Sequence, residues 1–135
     1  LHFWFPSLCL AFQATSLFDA SQTSIFYLEA LIVAAAIHES VVHLDWGGRI
    51  AVYSDNLNTV QMFNSLAALP SMNWMLMDMV DIILTHDVDF RVSHVSGSKN
   101  TIANHLSRLR NHNASNAVPG LSIQSFQPPR RTLGA

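Results

Sequence analysis

The sequence has little that would indicate disulfide, zinc or membrane chemistry. Cys9 is the only cysteine among 135 residues, which excludes an internal disulfide and leaves no cysteine partner for a zinc site. The longest apolar stretch, residues 25–37, contains Glu29, whereas a membrane-spanning helix needs about 20 mostly apolar residues. We therefore predict a core helix and no membrane partner. The location stays unknown, with an intracellular one, cytoplasmic or nuclear, as the expectation.

Charged residues are also scarce, at 12% of the chain against 50% hydrophobic residues. Residues 1–89 hold all nine acids and one base, a net charge of −8, whereas residues 90–135 hold six bases and no acid, a net charge of +6. A basic half suits contact with phosphates, although exposed basic tails without a ligand are equally common. The length is that of one domain with a tail. Because the chain starts at Leu1 within an apolar run, we expect a piece of a longer protein.

The first half of the chain predicts two short strands and then a long helix. Aromatic and aliphatic runs at residues 1–5 and 8–12 are separated by a Pro-Ser step, which indicates two strands joined by a turn or one strand with a bulge. Residues 14–23 read as a polar loop. From residue 25 to about residue 43 the chain is apolar and Ala-rich without Gly or Pro, which favours a long, mostly buried helix.

The second half alternates between strand and helix patterns. The predicted elements are a strand at residues 49–54, helices at 57–66 and 72–85, a strand at 89–95 and a helix at 101–109. Asp55 and Asn56 follow the first of these strands directly, as a strand end and a helix cap. Residues 111–135 are rich in Asn, Ser, Pro and Gln, so we divide the chain into a domain at 1–110 and an extended, poorly packed tail at 111–135.

This order of elements predicts an α/β fold, with a mixed β-sheet flanked by helices on both sides. In open α/β sheets, functional groups gather at the carboxyl ends of strands. Asp55 lies at such an end.

Three short segments stand out when they are considered together. They are the letters YLEAL at residues 27–31, VYSDN at 52–56, and HVSGSKN followed by ANHLSR within 94–108. In this order and spacing they resemble the ribonuclease H domain of retroelement reverse transcriptases, in which an LEAL helix, an SDN or TDN strand end and a closing HVPG..N..AD.LSR segment recur. The resemblance is closest to retroelement polyproteins of fungal genomes. It spans residues 1–110, with further likeness at 126–130.

The resemblance implies a ribonuclease H-like fold whose opening strand is truncated in this chain. It also implies an adjacent polymerase domain in the parent polyprotein, and an RNA–DNA hybrid as the nucleic-acid partner. In that family, two divalent ions about 4 Å apart, Mg²⁺ or Mn²⁺, clamp the attacking water, the phosphate and the leaving oxygen. Such ions need oxygen ligands.

By the matching motifs, Glu29 takes the place of the family's helix glutamate and Asp55 that of its strand-end aspartate. The resemblance therefore implies that both are catalytic metal ligands, and they must face one shared pocket. Each residue also has an ordinary structural explanation. An acid early in a helix is favoured by the helix dipole, and an aspartate before a helix is a common cap.

Two of the family's four carboxylates are missing. The first aspartate belongs to a DAS-type segment upstream of the residues that 1–5 resemble. The triplet Asp19-Ala20-Ser21 looks like that segment, but it lies only ten residues before Glu29, without room for the intervening strands, and we interpret it as a coincidence. Asn104 replaces the fourth carboxylate, and its neutral amide offers one oxygen without charge. Both losses should weaken metal binding and hydrolysis.

Four polar residues are candidates for contact with nucleic acid. Lys99 and Asn100 precede the last helix and Arg108 lies on it, where they suit phosphates, while Asn56 beside Asp55 suits a sugar or phosphate. The alternative for each is a solvated loop or helix residue. Of the seven histidines, we place two near the site, at positions 94 and 105, without a zinc-binding spacing.

Three functions remain open at this point. The chain is a retroelement ribonuclease H whose first aspartate lies elsewhere in the polyprotein, or a non-catalytic module that binds hybrid duplexes or supports a polymerase. Asn104 separates the two, since an upstream extension restores the first aspartate but not the fourth. A third reading is an unrelated α/β domain of similar topology.

Overall fold

The structure, a computed structural model, describes residues 2–6, 9–14, 25–43 and 48–126. The strands are β1 (His2–Phe5), β2 (Leu10–Gln13), β3 (Gly48–Ser54), β4 (Val88–His94) and β5 (Ser122–Ser125). The helices are α1 (Ile25–His43), α2 (Leu57–Ser65), α3 (Asn73–His86), α4 (Thr101–Ser107) and α5 (Asn111–Ala117). The predicted α/β class, a mixed sheet flanked by helices, is confirmed.

The strands pair in two sheets. In the first sheet, β2 lies in the middle, antiparallel to β1 and parallel to β5. In the second sheet, β3 and β4 run parallel, in register from Gly48 opposite Val88 to Ser54 opposite His94. Among the described residues, β1 and β3 each pair with one strand only, so each lies at the edge of its own sheet.

Helix α1 is the central element of the core. Ala30 and Leu31 are fully buried and Ile37 is nearly so, and the helix contacts β1, β3, α2 and α3. By length and composition alone, Ile25–Val42, which is longer than the apolar stretch at 25–37, would also be able to cross a membrane. Its packing against strands and helices agrees with the predicted core helix.

Helices α2 and α3 cover the second sheet and share their core with α1. Two methionines of α3, Met75 and Met79, are buried in this core, as their helical spacing predicts, whereas Met77 is exposed. Asn64 links α2 to β4, because its Nδ2 donates to the carbonyl oxygen of Val92 at 2.8 Å and its Oδ1 accepts from the Val92 N–H at 3.3 Å.

The prediction of an extended, poorly packed tail is wrong for residues 111–126. This segment forms α5 and β5, and β5 pairs with β2 over four residues. Phe126 then packs on the first sheet, with its ring centroid 5.0 Å from that of Phe3. The polar composition hid these elements because α5 buries little more than Ala114. Residues 127–135 lie outside the described residues.

Candidate cation site in a groove between two strands

One groove is lined by both β1 and β3. Its volume is about 470 Å³, within the range of small-ligand pockets. Side chains of α1 lie between the two strands, and the beginning of α4 also lines the groove. Glu29, Asp55 and Asn104, the residues that the motifs assign to catalysis, all line it.

Asp55 follows the last residue of β3 and is exposed. The sequence left two residues as possible caps of α2, and the structure assigns that role to Asn56, whose Oδ1 accepts from the Thr59 N–H at 3.0 Å and from the Thr59 hydroxyl at 3.2 Å. The neighbouring cap leaves the Asp55 carboxylate facing the groove. It also gives the oxygen of Asn56 a structural role as a cap, while its contact with nucleic acid stays a prediction.

Glu29 reaches the same groove from α1, in its second turn. Burial raises the pKa of the Glu29 carboxyl above its ordinary value, and the negative charge of Asp55 raises it further, while the positive charge of the amino terminus opposes both. A partly buried carboxyl near a second negative charge favours a bound proton or a cation. The charge of the exposed Asp55 therefore acts on Glu29 in this groove.

Gly97 and Asn104 lie beside this pair. A Cβ atom built on Gly97 would be 3.6 Å from Oδ2 of Asp55. The Nδ2 of Asn104 donates to the carbonyl oxygen of Gly97 at 2.7 Å, so this side chain ties α4 to the turn at Gly97–Lys99. Asn104 therefore braces the turn through its amide.

Comparison with family models, with curated proteins and with solved structures gives no match for this chain. The residues of the groove are therefore what indicates its function.

The donor set fits one hard cation and does not fit two. Glu29 and Asp55 supply two negative charges, enough for one Mg²⁺ or Mn²⁺ that keeps several of its waters. A second divalent ion would lack anionic ligands, because Asn104 is neutral. Within the described ranges, no three His, Cys, Asp or Glu side chains form a group that could hold a metal ion.

Of the remaining predicted site residues, the structure places one in the groove and two outside it. Asn100 lines the groove, whereas Lys99 and Arg108 are exposed and are not among its lining side chains. The triplet Asp19-Ala20-Ser21, in the predicted loop at 14–23, lies outside the described residues.

The histidine of this groove is His2, which sequence reasoning missed in favour of His94 and His105. The pKa of His2 is lowered from 6.5 to about 4, mainly by burial and then by the amino-terminal charge, while the charge of Asp55 opposes the shift. His2 is therefore neutral at pH 7. Nothing in the local sequence marks it, because only the packing of β1 near the end of β3 brings it to Asp55.

Proposed function

We propose that this chain is a ribonuclease H-like domain of a retroelement reverse transcriptase polyprotein, with its metal centre reduced to Glu29 and Asp55. It binds nucleic acid, and its hydrolysis of the RNA strand of RNA–DNA hybrids is impaired. The observation that carries the proposal is that the two motif acids, 26 residues apart in the sequence, line one groove, where the charge of Asp55 helps to raise the pKa of Glu29.

Support for the fold comes from the order of the elements around the site. The SDN motif ends β3, its parallel neighbour β4 leads into the closing motif, and the LEAL motif lies on the helix that packs against β3. This arrangement brings all three motifs to one end of β3. The opening strand of the proposed fold would occupy the space between β1 and β3.

The groove residues have distinct tasks in this proposal. Glu29 and Asp55 hold one divalent cation, which when bound polarises a phosphate oxygen. Asn104 braces the turn at Gly97 and adds no charge. Without a second ion to stabilise the leaving oxygen, cleavage is slow, while contact with the backbone of the duplex is retained.

The exposed bases supply that contact. Lys99 lies on the turn that begins at Gly97, next to Asp55, and Arg108 lies at the end of α4. Both are exposed and belong to the basic half of the chain. Phosphate contacts of this kind make affinity fall with salt, so changing both bases to Gln should weaken hybrid binding and flatten its salt dependence.

Cation binding is the direct test. Calorimetric titration with Mn²⁺ should give one site per chain, lost in Glu29→Gln and in Asp55→Asn. Asp81→Asn is the matched control, because Asp81 is an exposed acid of α3 outside the groove. Equal Mn²⁺ binding by all four proteins would overturn the site.

Cleavage of a labelled RNA–DNA hybrid in Mg²⁺ or Mn²⁺ tests the activity. We expect little cutting by the chain itself, and more by an Asn104→Asp version that also carries an added upstream strand with an aspartate. Robust cutting by the unmodified chain would contradict the impaired state. If neither protein binds the hybrid, the family role is wrong and a purely structural module of the polyprotein becomes the better proposal.

A further inference from the structure

Helices α4 and α5 are joined by a short turn made of Arg108, Leu109 and Arg110, which we call the α4–α5 turn. All three residues are exposed. The two arginines belong to the half of the chain that holds six bases and no acid. Among the described residues, neither arginine forms an ion pair with an acid. The turn therefore presents one apolar side chain together with two positive charges.

Leu109 has a backbone conformation that leucine rarely adopts. Its φ is 56°, in the left-handed region that favours glycine. The Leu109 N–H donates to the carbonyl oxygen of Leu106 at 3.2 Å. The Arg110 N–H donates to the carbonyl oxygen of His105 at 2.8 Å. These two bonds form a Schellman cap, in which glycine is the usual residue at the position of Leu109. Glycine would therefore fold here with less strain.

Packing within the described part of the chain does not explain this leucine. Its side chain is 76% exposed, more than any other large hydrophobic residue described. Leu66, at the end of α2, has the same φ and is 57% exposed, but its neighbours Ser65 and Ala67 are uncharged. Backbone strain in an exposed residue indicates a function. The two flanking arginines indicate a contact with an anionic partner.

Helix α4 connects the turn to the groove. Asn104 lines the groove, and α4 ends at Ser107. A rise of about 1.5 Å per residue places the turn roughly 6 to 9 Å beyond Asn104 along the helix. Phosphates of one strand are about 3.4 Å apart along a duplex. A duplex with a phosphate at the groove therefore reaches the turn within about two or three nucleotides.

The shape of the turn favours one kind of duplex. Two helices stand behind it, and a helix with its side chains is about 10 Å across, whereas the minor groove of B-DNA is about 6 Å wide. The minor groove of an A-form duplex is wide and shallow, and RNA–DNA hybrids have A-form geometry. A blunt surface of this kind can rest on the sugars and base edges of such a groove.

We infer that the α4–α5 turn binds the minor groove of an A-form duplex, with Leu109 against sugars and base edges and with Arg108 and Arg110 on phosphates. This inference rests on the proposed function and adds to it the residues that distinguish the shape of the duplex. A lipid surface fits the turn less well. Even a single myristoyl chain gives only marginal membrane binding, and one leucine offers less apolar surface than that chain.

Leu109→Gly separates the contact from the fold. Glycine relieves the left-handed strain, so the Tm should rise by roughly 3 °C. Affinity for a short RNA–DNA hybrid, measured in EDTA, should nevertheless fall about tenfold, because the apolar contact is lost. Its salt dependence should stay the same, since no charge is removed. Leu66→Gly is the matched control, with a similar rise in Tm and unchanged hybrid affinity.

Arg110→Gln tests the charged part of the contact. It should weaken hybrid binding and reduce the slope of log K against log salt by about one. Arg91→Gln, an exposed position of β4 outside the groove, should change neither quantity. A DNA duplex of the same sequence should bind the parent chain more weakly than the hybrid does, and Leu109→Gly should bring the two affinities closer together.

The outcomes separate this inference from the proposed function. Equal hybrid affinity in the parent chain and in Leu109→Gly would overturn the inference alone. Hybrid binding that depends on Leu109 in a chain that binds no Mn²⁺ would support the turn and contradict the metal centre. If the parent chain binds no duplex, the inference and the binding role both fail. Binding to phosphatidylserine vesicles that is lost in Leu109→Gly, with hybrid affinity unchanged, would assign the turn to a membrane and contradict the inference.

Discussion

The backbone of Gly97 lies against the carboxylate of Asp55, where a methyl group on Gly97 would be 3.6 Å from Oδ2. This distance is ordinary van der Waals contact, so an alanine fits without moving the chain. The methyl group would take a place where water or a cation reaches the carboxylate. The turn that carries Gly97 is braced by the Asn104 amide, which holds this surface in position.

We therefore expect Gly97→Ala to fold normally and to bind Mn²⁺ about tenfold more weakly, a loss of the size seen when groups next to metal ligands are changed. Calorimetric titration measures the affinity, and thermal unfolding checks the fold. Ser98→Ala, an exposed change on the same turn, serves as the control. Unchanged affinity in Gly97→Ala would mean that the cation does not approach Asp55 from this side.

Ionisation of the Glu29 carboxyl lowers the stability of the folded chain. Its pKa is raised in the folded state by burial and by Asp55, so the folded state binds more protons than the unfolded state between the unfolded pKa and the folded pKa. The free energy of unfolding therefore falls as pH rises through that window. Above it, the full cost of the ionised carboxylate is present.

Glu29→Gln should consequently be more stable than the parent chain at pH 7 without added metal, and should lose this advantage below the ordinary carboxyl value of 4.5. Urea unfolding at pH 7 and pH 4 measures the difference. Glu39→Gln, on the same helix outside the groove, is the comparison. A Glu29→Gln protein that is less stable at pH 7 would contradict the repulsion between Glu29 and Asp55.

The pKa shift of His2 gives stability the opposite dependence on pH from that of Glu29. Its pKa is lowered from 6.5 to about 4, so the unfolded state binds more protons between these values and stability is lost as pH falls from 6.5 toward 4. The full shift corresponds to roughly 3 kcal/mol.

We expect His2→Gln to remove most of this loss of stability in acid, measured by urea unfolding at pH 7, 5 and 4. The exposed His112→Gln should keep it, and an unchanged acid loss in His2→Gln would show that His2 is not buried.

Phe126 tests whether the end of the described chain belongs to the domain. Its ring lies 5.0 Å from the ring of Phe3 and 6.5 Å from that of Phe12, and its backbone N–H donates to the carbonyl oxygen of Gln13. Because Phe126 is only partly buried, Phe126→Ala should cost about 2 kcal/mol of unfolding free energy. Leu84→Ala, 75% exposed, should cost much less in the same urea titration. Equal small losses would favour the loosely packed tail that the sequence predicted.

The order of most elements could be predicted because their signals are local. The Ala-rich run of α1, the alternation of β3 and the methionine spacing of α3 each appear within one segment, and propensity and period identify such patterns. The strand predicted at 89–95 lies one residue later than β4. The helix predicted at 101–109 begins where α4 begins and ends two residues after it. Helix α5 was missed because its sequence is polar and buries little more than Ala114. Strand β5 was missed because it pairs with β2, which is far away in the sequence.

By itself, the sequence determined the α/β class and the central helix, which follow from residue types at short spacing. The resemblance to the ribonuclease H motifs implied the pair Glu29 and Asp55 as candidate ligands. Only the tertiary structure decided that Asn56 and not Asp55 caps α2, that His2 joins the acids, and that β1 and β3 present their edges to one groove. The physical reason is the distance along the chain over which each effect acts. Propensity and capping act over a few residues, whereas burial and charge interaction depend on which distant segments the folded chain brings together.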